Sequence, residues 1–208
     1  MNVIQTHLTL PEGWTKGAVM ALISEVAPHI GLRPARLAVL NYIIGRTRAS
    51  DWTSPHREPV FFGAQDLAAV ELGKTSRQLR TDEAALAKLG LIVKRVAANG
   101  ARYGRAGLGL ILTPLIARLE EFIALRDRLR AERRHLRALK DLRSLRLRHM
   151  KRCIAALPSS AIKDPEIVKI LASFDKWPRS DALSRLGLER LNAHLNPHSP
   201  SKALISLS

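Results

Sequence analysis

The chain has 208 residues, enough for one or two domains, and a formal net charge of +16. Its 46% hydrophobic content supports a core and excludes wholesale disorder, while the cationic excess points to a polyanionic partner. Aromatics at 4% argue against base stacking on single strands as the main mode, and a lone cysteine, Cys153, excludes an internal disulfide.

Met1 to Pro11 reads as an extended arm, with no signal-peptide pattern. Apolar spacing predicts a helix from Lys16 to Ala27, with Val19, Met20, Leu22, Ile23 and Val26 inward. A second helix, Pro34 to Arg46, carries a stripe of Leu37, Leu40, Ile43 and Ile44. The apolar run from Leu37 to Ile44 is too short to span a bilayer, and we expect a cytoplasmic protein without membrane contact. Thr47 to Pro59 reads as a polar loop, and Val60 to Phe62 as a first strand.

The next stretch organises the rest. Leu67, Ala68, Val70 and Leu72 suit the inner face of a short helix that Gly73 stops. Thr75 or Ser76 caps a second helix, Arg77 to Leu89, with Leu79, Ala84, Leu86 and Leu89 inward. Leu91 to Val96 reads as a strand, and Asn99-Gly100 as a hairpin turn. Leu108 to Leu112 supplies the return strand. A helix-turn-helix followed by a hairpin is a winged helix. The polar side of its second helix and its hairpin give the expected DNA-binding set: Lys74, Thr75, Ser76, Arg77, Gln78, Arg80, Thr81, Arg95, Asn99, Arg102, Tyr103 and Arg105. Arg77, Gln78 and Arg80 are expected at base edges. Arg102 and Arg105 are expected at the backbone or minor groove, with Tyr103 packed beneath them.

From Ile116 to Leu157 the chain reads as one long helix with almost no breaker. Between Arg118 and Arg152 its cations outnumber its acids by eight. Leu119, Phe122, Leu129 and Leu136 fall near one face, and we expect a second copy of the chain to cover them as a weak homodimer. Short helices follow Asp164 and Ser180. The expected fold is therefore mainly α. Residues 1–114 would form the winged-helix domain, 115–157 the long basic helix and 158–208 a short helical tail.

Enzymatic signals are absent. Gly73-Lys74-Thr75 imitates the end of a phosphate-binding loop, but Ala68 stands where that loop needs glycine. The seven histidines lack metal spacing, and no nucleophile elbow occurs. We expect a non-enzyme with no cofactor and no metal.

Four pieces resemble the RepC family, the replication initiators of the repABC plasmids of alphaproteobacteria. They are Arg57-Glu-Pro-Val60, Thr75-Ser-Arg-Gln-Leu-Arg80, Asn99-Gly-Ala-Arg-Tyr-Gly104 and Leu112-Thr-Pro-Leu-Ile-Ala-Arg118. The third is similar to the family's Asn-Gly-x-Arg-Tyr-Gly wing and is the most specific. The resemblance implies binding to a plasmid origin lying within the initiator's own coding sequence. It also implies DNA opening and recruitment of host replication proteins, without ATP hydrolysis. The segment from Gly104 to Leu112 is shorter than the family's, so a truncated or lost return strand is expected. The chain also ends near residue 208, where family members usually continue into a second domain, so a shortened initiator is the expectation. A winged-helix transcription regulator bound to a promoter shares every feature read from the residues alone.

Overall fold

A computed structural model of the chain describes residues 6–97, 102, 107–156 and a few positions between 158 and 172. The Asn99-Gly100 turn, Tyr103, Arg105 and most of the tail after Pro158 lie outside the described residues. The chain is mainly helical, with one small antiparallel sheet, and divides into two compact units, residues 1–127 and 128–208.

In the first unit, helix α1 (Lys16–Val26) begins where the Ala18 N–H donates to Thr15 Oγ1 at 3.2 Å. Val19, Leu22, Ile23 and Val26 are buried along it. Helix α2 (Pro34–Gly45) opens on Pro34, whose ring already holds a helical φ. It buries Val39, Leu40, Ile43 and Ile44, whereas Leu37 is only partly buried. The Lys16 ammonium donates to the Gly45 and Thr47 carbonyls at 2.9 and 2.7 Å. A cation thus satisfies orphan carbonyls at the end of α2.

The Thr47–Pro59 loop is not simply polar. Ala49–Trp52 forms a 3-10 turn that sinks Trp52 into the core at 0% exposure. Its indole N–H donates to Thr47 Oγ1 at 2.9 Å, and the Thr47 hydroxyl donates to the Ile44 carbonyl. A large apolar ring is buried at no cost in unpaired polar groups. The N-terminal arm is tied down here too. Leu10 is buried, and its N–H donates to the Trp52 carbonyl at 2.8 Å.

Three strands make the sheet: β1 (Val60–Phe61), β2 (Val93–Arg95) and β3 (Gly109–Ile111), in the order β1-β3-β2. Val60 pairs with Ile111 on one side, and Val93 with the same Ile111 on the other. The return strand is therefore neither truncated away nor lost; short as it is, it is the centre of the sheet. Gly109 explains how β1 comes so close. A Cβ there would stand 2.4 Å from the Phe61 carbonyl oxygen.

Helices α3 (Gln65–Glu71) and α4 (Ser76–Lys88) lie between β1 and β2 in sequence. The α3 stripe differs from the one expected. Ala68 and Ala69 are buried, while Leu67 and Val70 stand 57% and 77% exposed. In a helix of seven residues the two stripes are one position apart, and the small pair permits the closer approach. In α4, Glu83 takes the inward place expected for Ala84, beside Leu79 and Leu86.

The long helix is two helices. Thr113–Ala117 is α5, and Leu119–Ala156 is the 38-residue α6. The break is Arg118 (φ −100°, ψ 9°). Its guanidinium donates to the Leu89 carbonyl at 2.7 Å, pairs with Glu121 and lies 4.8 Å from the Phe122 ring centroid. That contact joins the end of α4 to the start of α6. Leu119 and Phe122 are 2% and 0% exposed in the core of the first unit, so this half of the stripe is packing within one chain and needs no second copy. Residues 128–156 of α6 belong to the second unit.

Candidate nucleic-acid interface

Helix α4 is fixed at its N-terminus before anything else. Thr75 Oγ1 accepts from the Gln78 N–H at 3.2 Å, and Gln78 Oε1 accepts from the Thr75 N–H at 3.0 Å. This reciprocal capping box satisfies two backbone donors. Ser76 donates to Asp66 at 2.7 Å and ties the first turn to α3. Lys74 pairs with Asp82 at 2.8 Å, and Arg36 of α2 reaches the same carboxylate at 3.5 Å. Gly73 supplies the left-handed turn (φ 61°) between the two helices.

The opposite end of the brace is Glu83. Its side chain is 3% exposed and meets Arg102 Nη2 at 2.7 Å and Lys94 Nζ at 3.5 Å. Arg102 also donates to the Gly63 carbonyl at 3.2 Å and lies 5.9 Å from the Phe61 ring centroid. One carboxylate thus ties α4 to the segment that runs between β2 and β3.

With the cap and the brace in place, α4 turns one face outward. Arg77, Thr81, Ala84 and Lys88 follow at i, i+4, i+7 and i+11, all exposed, with Arg80 beside them. Arg80 Nε donates to Gln65 Oε1 at 3.0 Å, which holds it near the α3 N-terminus. Arg77 has no ion-pair partner among the described residues. An open cleft of about 560 Å³ runs alongside, lined by Lys74, Arg77, Gln78, Thr81 and Asp82.

The twelve residues picked from the sequence therefore separate. Arg77, Arg80 and Thr81 lie together on the outer face of α4, and Arg95 is outward on β2, paired with Glu58 at 3.1 Å. Lys74, Thr75 and Ser76 spend their side-chain polar groups on the turn and cap, and Gln78 commits its Oε1 there. Arg102 is held inside, 7% exposed, rather than presented at the surface. Asn99, Tyr103 and Arg105 lie outside the described residues. Sequence reasoning missed Ala84 and Lys88. Counting forward from Arg77 at helical spacing finds both.

Among the described residues no cluster of His, Cys, Asp and Glu is placed to hold a metal, and no helix is long and apolar enough to cross a membrane.

Residues 2–157 match the family model of the replication protein C N-terminal domain. A putative replication protein C of Rhizobium rhizogenes is 30% identical over 135 residues, which is 61% of this chain and 33% of that protein. A second, from Sinorhizobium fredii, is 27% identical over 157 residues, or 72% and 38%. The chain thus spans about a third of the length of the curated relatives it matches. No solved structure matches.

Proposed function

The chain belongs to the replication protein C family, and from that premise we propose that it binds the origin of a plasmid through a winged helix and serves replication initiation. In this reading α3 and α4 are the helix-turn-helix, β2 and β3 lead into and out of the wing, and α4 enters the major groove. The observation that carries it is the outer strip of α4. Arg77, Thr81, Ala84 and Lys88 repeat on one face, with Arg80 alongside, while the buried side holds Leu79, Glu83 and Leu86.

The chemistry of that strip suits duplex DNA. Arg77 presents a guanidinium whose paired donors match the acceptors of guanine. Ala84 leaves room for close approach and offers a methyl group to thymine. Lys88, a turn further on, suits a phosphate. Arg80 starts from a hydrogen bond to Gln65 that a phosphate or base edge would replace. The cap residues and Arg102 act through the fold: they orient the helix that reads. Bound in this way, the protein would recruit host replication proteins to the opened origin, with no nucleotide hydrolysis of its own.

The test is a set of duplex fragments tiling the gene that encodes the chain, together with its promoter, titrated with the purified protein. Binding to one internal fragment is expected to be tighter than to all the others at the same salt concentration. Preference for the promoter fragment alone would make the chain a transcription regulator, and equal binding to every fragment would overturn sequence recognition.

A further inference from the structure

The second unit holds the distal part of α6, residues 128–156. It contains nine arginines and two lysines against Glu132 and Asp141. The cations are not spread evenly. At about 100° per residue, eight of the eleven fall within a sector of about 120°. Arg130, Arg134, Arg137, Arg148, Lys151 and Arg152 are among them, and all six are exposed. Asp141 is the one acid in the sector, and no large apolar residue lies there. Leu129, Leu136 and Leu147 lie about a quarter-turn from its centre and are buried or half-buried, whereas Leu142 and Leu145, outside the sector, are exposed.

We propose that this basic face of α6 is a second, sequence-independent anchor for duplex DNA, gripping its phosphates. The proposal rests on the winged-helix reading for the identity of the polyanion and adds a separate surface to it. Three features select the partner. Arginine dominates over lysine, and its planar fork suits phosphate oxygens. From Arg130 to Arg152 the face runs about 33 Å, close to one helical turn of duplex DNA. Residues 128–156 contain no Trp, Tyr or Phe, so the face has neither stacking platforms for single strands nor aromatic anchors for a membrane surface.

The face supplies affinity through counterion release and no base discrimination. Its removal should therefore change salt dependence while leaving the site chosen unaltered. The experiment replaces Arg134, Arg137, Arg148 and Arg152 with Gln in the full chain. Gln has helix propensity close to that of Arg, and far-ultraviolet circular dichroism checks that α6 persists. Parent, this variant and Arg77→Ala are titrated over a salt series against the specific duplex, a scrambled duplex, a single strand and vesicles containing phosphatidylserine.

The expected result is a salt slope shallower by about three to four for the four-Gln variant, equally on the specific and scrambled duplexes. Its affinity for both should fall by about tenfold or more in low salt, with the ratio between them unchanged. An unchanged slope, with Arg77→Ala still lowering the specific-to-scrambled ratio, overturns the α6 anchor and leaves the α4 reading intact. The converse pattern, a shallower slope in a parent with no sequence preference, keeps the anchor and overturns the reading by α4. A loss confined to vesicles or to the single strand overturns the choice of duplex DNA. A parent that binds no duplex overturns both.

Discussion

Arg102 Nη2 lies 2.7 Å from one carboxylate oxygen of Glu83 and 2.8 Å from the other, in a pocket where both side chains are almost fully enclosed. Nineteen residues of sequence separate them. The pair joins the buried side of α4 to the segment following β2. Removing one partner strands a buried charge, which typically costs about 3–5 kcal/mol. Glu83→Ala should accordingly be severely destabilising. A pair of similar-sized apolar replacements, Glu83→Leu with Arg102→Met, should recover most of the loss. Urea midpoints for the single and double variants check this, and a double variant no better than Glu83→Ala would make the pair incidental.

The same contact sets an expectation for Arg102 in DNA binding. An arginine that grips phosphate contributes about one unit to the salt slope, whereas one locked on Glu83 contributes none. Arg102→Ala is expected to lower the denaturation midpoint and leave the salt slope of DNA binding as it was. A slope shallower by about one would return Arg102 to the DNA surface.

Lys88 and Arg77 should behave differently although they share a face. Arg77→Ala should cost about 1–3 kcal/mol on the specific duplex and much less on a scrambled one. Lys88→Ala should weaken both alike. Titrations at fixed salt distinguish the two patterns, and equal losses from Arg77→Ala would demote it to a phosphate contact.

Gly109 is expected to tolerate nothing larger. In Gly109→Ala the new Cβ would stand 2.4 Å from the Phe61 carbonyl oxygen, so β1 and β3 must separate. Such overpacking costs about 1–3 kcal/mol. The Gly107→Ala control differs in kind, because Gly107 has open space but a left-handed φ of 64°. A Gly109→Ala protein as stable as the parent would contradict the close strand contact.

Acid should loosen the hinge before α6. The hydrogen bond from Arg118 holds the Glu121 carboxyl below its ordinary value of 4.5. A depressed carboxyl stabilises the fold above the unfolded value, and that contribution is lost as pH falls through the folded one. The stability gap between parent and Glu121→Gln should therefore be widest near neutral pH and close in acid. A gap independent of pH would remove the ion pair from the account. Glu121 is more than half exposed, so the effect is small.

Much of this could be read from the sequence, and the failures have physical causes. The helices α1, α2 and α4 are long and periodic, and their starting signals, the caps Thr15 and Thr75 and the first-turn Pro34, stand where helix-start rules put them. The seven-residue α3 is too short for its period to choose a face, which is why Leu67 and Val70 end up outside. Trp52 lies in a loop with no periodicity at all, yet a 3-10 turn buries its ring in the core and Thr47, five residues earlier, satisfies its indole N–H. Glu83 and Arg102 each look like surface charges on their own. Only the fold brings the two together, and composition cannot announce such a pairing. Gln78 belongs to a capping signature visible in Thr75-Ser-Arg-Gln, which marks its side chain for the backbone before any base.

A base-pair scan shows whether the outer face of α4 reads sequence. Each base pair of the protected site is changed in turn, and binding is measured for the parent and for Arg77→Ala. The parent should be penalised by about 1–3 kcal/mol at a few positions, and Arg77→Ala should erase the penalty at one or two of them while keeping the others. A penalty profile that Arg77→Ala leaves unaltered at every position would show that the outer face of α4 does not read the DNA.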